Sequence, residues 1–156
     1  MNYLPLLAIF AGVAISLQAT LNALLGVLLH SALLGTGIAF MVGGLLCLTL
    51  IVITIAVTGK FDMKAASLQA VPVYLWFTGG SLGALGVGLL YFLIPKMGVG
   101  PMTVFSLAGQ LLIATAASHF GWFDLPQIPV TLQKLIGIFT LFTGVALING
   151  EKLYAY

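Results

Sequence analysis

Apolar positions run along this chain in long blocks, and every charged residue except Lys134, two residues into the last block, falls outside them. The blocks cover residues 4–28, 31–57, 71–94, 101–119 and 132–149. Each is close to the ~20 apolar residues that an α-helix needs to cross the hydrocarbon core of a bilayer. Lys60, Asp62 and Lys64 separate the second block from the third, and Lys96 separates the third from the fourth. Asp124 and Lys134 bracket the start of the fifth, and Glu151 and Lys152 follow it. No block shows the alternation, in segments of about 10 residues, of a membrane β-barrel strand. Backbone polar groups in lipid must be satisfied within their own segment, so the pattern predicts five transmembrane helices. The first block is no cleavable signal peptide, because it lacks a basic flank and exceeds the usual apolar core of one.

Local residues mark the boundaries. Pro95 and Lys96 are expected to end the third helix. Gly100-Pro101 opens the fourth, with proline in a first turn where its missing N–H costs nothing. Gly121, Pro126 and Pro129 break the connector before the fifth, and Trp122 to Ile128 is expected to lie on the membrane surface. Tyr3, Tyr74, Trp76, Trp122, Tyr154 and Tyr156 fall near the predicted interfaces, where amphipathic rings concentrate.

Composition narrows the class further. The chain has 156 residues, of which 62% are hydrophobic and 5% charged. A soluble domain carries about 25% charged residues, so a soluble fold is excluded. The five basic residues are scattered lysines, which excludes nucleic-acid binding. The single cysteine, Cys47, cannot form a disulfide within the chain and counts as a small apolar residue. The length accommodates one transmembrane domain, residues 1–156.

Five crossings put the termini on opposite sides. Lys60, Lys64 and Lys134 then share one side, and Lys96 and Lys152 the other. Cytoplasmic loops normally carry an excess of Lys and Arg, and here the excess is one lysine. That balance leaves two courses open. The chain inserts both ways and pairs head to tail, or first-helix features and lipids hold it in one orientation.

Lipid offers helices no hydrophobic reason to associate, so small residues at four-residue spacing carry the packing. Gly35, Ala39, Gly43 and Cys47 form one such row. Gly79 and Gly83, then Ala84 and Gly88, form others in the third helix, and Thr140 and Gly144 one in the fifth. The glycine density of the third helix also marks it as able to bend.

No charged residue is expected at membrane depth. The polar residues there are neutral: Gln18 and Asn22 on one face of the first helix, Ser16 and Thr20 opposite, and Ser106, Gln110, Ala114 and Ser118 in a row on the fourth. The carboxamides either hydrogen-bond between helices, at about 0.6–2 kcal/mol each, or line a polar cavity that solvent reaches. Ser16, Thr20 and Ser106 are expected to bond back to their own helix carbonyls. His119 ends the fourth block as an interfacial hydrogen-bonding residue or, since histidine changes charge near neutral pH, as a proton-coupling residue. His30 is expected to be a solvated turn residue. No metal site, cofactor site or enzymatic constellation is expected. The stretch Gly79-Gly80-Ser81-Leu82-Gly83 lies inside a crossing and so cannot be a phosphate loop.

Several of these pieces occur in a recognisable order. They are Gly12, Gln18 and Asn22-Ala23-Leu24-Leu25, Gly43, then Gly79-Gly80-Ser81-Leu82-Gly83-Ala84 and Pro95. Gly98, Gly109-Gln110-Leu111, His119-Phe120-Gly121, Gly137 and Gly144-Val145 follow. In this order the chain resembles the YdcZ-like five-helix members of the drug/metabolite transporter superfamily over nearly its whole length. One departure is Ser118, where the resemblance leads one to expect an acid before His-Phe-Gly. Coupling would then rest on His119 or an acid-bearing partner, or be absent. Lys134 stands where arginine is usual.

The resemblance implies a transporter subunit in the bacterial inner membrane type of location, forming half of a ten-helix assembly with inverted topology. The other half would be a second copy, as an antiparallel homodimer, or a paired homologue. Inverted halves place a substrate site near the midplane at their interface. Gln18, Asn22 and Gln110 become substrate-binding residues by that analogy, with Trp76 and Tyr91 as wall residues. The expected activity is alternating-access transport of a small organic solute. A non-transporting or heteromeric subunit and a passive channel stay open as alternatives.

Overall fold

The structure, a computed structural model, describes residues 3–59, 71–122 and 126–153. Lys60, Asp62, Lys64, Asp124, Tyr154 and Tyr156 lie outside the described residues, as do the side chains of Asn149, Glu151 and Lys152. Five helices follow one another: α1 Leu4–Leu28, α2 Ala32–Thr58, α3 Leu75–Met97, α4 Val99–Phe120 and α5 Leu132–Leu153. The first four are long and apolar enough to cross a membrane, while the apolar part of α5, Leu132–Ile148, is shorter.

The ends of the helices follow local chemistry. Ser31 caps α2, its Oγ accepting the Leu34 N–H at 3.2 Å. Gly59 and Gly121 end α2 and α4 in the left-handed conformation, both at φ +62°. Two boundaries differ from expectation. Helix α3 runs through Pro95 to Met97, because a proline in the last turn forfeits a single backbone bond. Its start is Leu75, not residue 71, since the preceding residues Val73 and Tyr74 form a turn.

The helices group into two compact units, Met1–Lys96 and Met97–Tyr156. In the first, glycine sets the approach of α1 to α2. A Cβ placed on Gly35 would meet the Cα and N of Gly26 at 3.1 Å and the carbonyl of Asn22 at 3.2 Å. On the other side of α2, Thr36 lies against Gly88, and the ring of Phe40 lies against Gly83. Thr36 is buried and bonds back to the Ala32 carbonyl at 2.8 Å, so its hydroxyl is satisfied without a second helix. By contrast, no described atom approaches a Cβ built on Gly43, Gly79 or Gly144. Ala39 is half-buried. In the second unit α4 packs on α5. Large apolar side chains such as Leu17, Leu33, Leu48, Phe77 and Phe139 face outward, as lipid-solvated helices require.

The turn from α1 to α2 has one unusual residue. The Ser31 N–H bonds to the Gly26 carbonyl at 2.9 Å, and the His30 N–H bonds to that of Val27 at 3.0 Å. This is the paired 6→1 and 5→2 pattern of a Schellman cap, which requires a left-handed residue and usually takes glycine. Here His30 takes it at φ +54°. The conformation costs a non-glycine residue ~1–2 kcal/mol.

Candidate functional site

Polar side chains on α1 and α3 converge inside the first unit. Gln18 and Asn22 stand about 3 and 9 Å past the middle of α1, at 1.5 Å per residue. Asn22 Nδ2 donates to the Tyr91 hydroxyl at 2.9 Å. Gln18 Nε2 reaches the same oxygen at 3.5 Å, the outer limit of a hydrogen bond. Tyr91 is only 2% exposed, while Asn22 is half-buried and Gln18 exposed. The phenol oxygen therefore accepts from α1, and its own proton remains to be donated. The carboxamide oxygens of Gln18 and Asn22 supply further acceptors, so the cluster is neutral and offers both hydrogen-bonding roles. Pro95, one turn beyond Tyr91, has no N–H to give the Tyr91 carbonyl, so α3 is less tightly bonded at this residue.

The structure thus brings Gln18, Asn22 and Tyr91 together. Trp76 does not join them. It is the second residue of α3, exposed, and about 22 Å along the helix from Tyr91 at 1.5 Å per residue. Gln110 lies at the middle of α4 in the other unit and is exposed. Its Nε2 donates to Ser106 Oγ at 3.0 Å on its own helix. That bond leaves the Gln110 carbonyl oxygen as an acceptor.

His119 serves the connector between α4 and α5. Its Nδ1 accepts the Val130 N–H at 3.2 Å, and its backbone carbonyl accepts from Gln127 Nε2 at 3.0 Å. The Ile128 N–H bonds to the Ser118 carbonyl at 2.8 Å, and Lys134 Nζ donates to the Pro129 carbonyl at 3.1 Å. With Nδ1 occupied by the Val130 N–H, Nε2 is the ring nitrogen left for another partner. Ser118, where an acid was expected, contributes its backbone to this clasp.

A second feature adjoins Tyr91. A recess of about 160 Å³ is lined by Gly26, Val27, His30, Ser31, Ala32, Tyr91, Phe92 and Pro95. Lys96 Nζ sits 3.9 Å from the centre of the Phe92 ring. Sequence patterning misses this site, since its lining comes from a turn and from the distant end of α3. The available signal is the two-residue link Leu29-His30 before the capping Ser31, which forces a left-handed residue.

Four helices long and apolar enough to cross a membrane, two of them joined by a neutral polar cluster, define a multi-pass helical protein of the cell membrane. The chain matches the model of a family described as "Putative inner membrane exporter, YdcZ" over residues 3–147, and it belongs to that family. The family is one of membrane transporters. No curated protein and no solved structure is matched.

Proposed function

We propose that this protein exports a small organic solute, uncharged or weakly polar, by alternating access as an antiparallel dimer. Helix α5 is the fifth crossing, and the two copies together rebuild a ten-helix arrangement with inverted halves. Gln18, Asn22 and Tyr91 bind the solute, and Gln110 of the second unit is a separate candidate contact. The observation that carries this reading is the 2.9 Å bond from Asn22 Nδ2 to the buried Tyr91 hydroxyl, with Gln18 Nε2 3.5 Å from the same oxygen, between two long apolar helices. Polar groups in that setting mark pathways, because placing them there is costly without a use. The neutral cluster suits a solute that needs no fixed counter-charge; a cation held by carboxamides and an aromatic face is the other fit. Direction rests on the family's description.

The test is transport in proteoliposomes over a panel of neutral and cationic small solutes. Saturable flux is expected, with loss of about tenfold or more in Asn22→Ala and Gln18→Ala, as when a site's polar partners are removed. Folded protein that moves no solute, or flux that neither variant alters, overturns the assignment. Flux that never saturates identifies a channel.

A further inference from the structure

We infer that the recess beside the α1–α2 turn is a second binding site, an outer vestibule for a small uncharged amphiphile. It rests on the transport reading only in being called a vestibule. Two independent observations meet there. One is the recess, open on one side, whose volume of about 160 Å³ has room for a benzene-sized body. The other is His30, held at φ +54° where glycine would fit without strain. Nothing in the cap needs an imidazole, since both cap bonds come from the backbone. The side chain instead lines the recess, and strain kept at one residue points to use of that side chain.

The lining defines the ligand. Val27, Ala32, Phe92 and Pro95 form apolar walls for a ring-sized body. His30 provides the hydrogen-bonding group for one hydroxyl or carbonyl. Beyond lies Tyr91, whose ring lines the recess while its hydroxyl is held by Asn22. Tyr91 is therefore shared by the recess and the carboxamide pair. The pair carries no charge to receive an ion, which favours an uncharged ligand. The cation near the recess, Lys96, is engaged over the Phe92 ring.

The experiment needs no transported solute. In a Cys47→Ala background, Val27→Cys places a thiol in the wall, and its reaction with N-ethylmaleimide is timed in proteoliposomes. Benzyl alcohol, a benzene-sized ring with one hydroxyl, is the probe. It is expected to slow labelling saturably by about fivefold, and toluene to protect less, in keeping with one hydrogen bond to the head group. His30→Gly keeps the left-handed backbone and removes the imidazole, so protection should fall below about twofold. Ala32→Leu, which fills the wall, should abolish it. Leu33→Cys, exposed and outside the recess, should be unaffected. Absence of protection overturns the proposal. So does equal slowing at Leu33→Cys, or protection that survives both His30→Gly and Ala32→Leu. Benzoate protecting as well as benzyl alcohol overturns the uncharged assignment. Failure of the carboxamide variants to alter transport would leave this result standing, so the two readings fail separately.

Discussion

Replacing Tyr91 with phenylalanine tests the geometry of the polar cluster most directly. The change removes one oxygen and keeps the ring that fills the buried position. Asn22 Nδ2 then loses its acceptor at 2.9 Å, and Gln18 loses a contact at 3.5 Å. Hydrogen bonds between membrane helices average about 0.6 kcal/mol and reach about 1.7, because the unfolded chain in the bilayer also finds partners. The short Asn22 bond belongs in the upper part of that range, at ~1 kcal/mol. The Gln18 contact, at the limit of bonding distance, is worth less than about 0.5 kcal/mol. The assay is reversible unfolding in bicelles, run as two double-mutant cycles. Tyr91→Phe with Asn22→Ala should show a coupling of about 0.6–1.7 kcal/mol, and Tyr91→Phe with Gln18→Ala a smaller one. Tyr91→Ala, which also empties the ring's volume, should cost ~3–5 kcal/mol and marks the scale of true packing damage. An Asn22 coupling below about 0.3 kcal/mol, the usual additivity error, or a larger coupling for Gln18 than for Asn22, would refute the geometry on which the site rests.

Four further outcomes follow from other positions. Gly35→Ala places a Cβ 3.1 Å from backbone atoms of Gly26 and should cost about 1–3 kcal/mol in the same unfolding assay. Gly43→Ala meets no described atom and should be neutral or gain up to ~1 kcal/mol from helix propensity, whereas a large loss would reveal a neighbour from a second copy. His119→Ala removes the acceptor of the Val130 N–H, so hydrogen exchange should speed up at Val130 while α1 and α2 stay unchanged. Tyr3→Cys and Leu33→Cys, both exposed and at opposite ends of α1 and its turn, should each label about half their molecules with an impermeant maleimide in intact cells if the chain inserts both ways. Full labelling of one and none of the other would exclude an antiparallel homodimer of this chain.

Much of the helix layout was legible in the sequence because charge and lipid are incompatible. The block 4–28 coincides with α1, and the other boundaries differ by a few residues where capping decides them. The pairing of Gln18 with Asn22 was also legible, since four-residue spacing alone puts them on one face. Tyr91 as their partner was not readable from spacing, because the rotation of α3 about its axis is a property of packing. The same reason separates Gly35, Gly83 and Gly88, which meet neighbours, from Gly43 and Gly79, which meet none of the described atoms. Small-residue rows mark possible faces, and tertiary packing decides which of them are used. The strained His30 was hidden for a different reason: a solvated histidine and a left-handed cap residue look alike in sequence.

The hydroxyls tell a further story. Thr20, Thr36, Thr49, Thr54, Thr58, Thr140 and Thr143 all donate to the carbonyl one turn earlier in their own helices. Each such hydroxyl has committed its proton, so side-chain hydrogen-bond donation toward a solute is concentrated in few residues. Under the proposed function, a lineage carrying this architecture would change its cargo through one or two substitutions among Gln18, Asn22 and Tyr91 without rebuilding its helices. Such a scaffold is open to broad substrate tolerance and to rapid divergence after gene duplication.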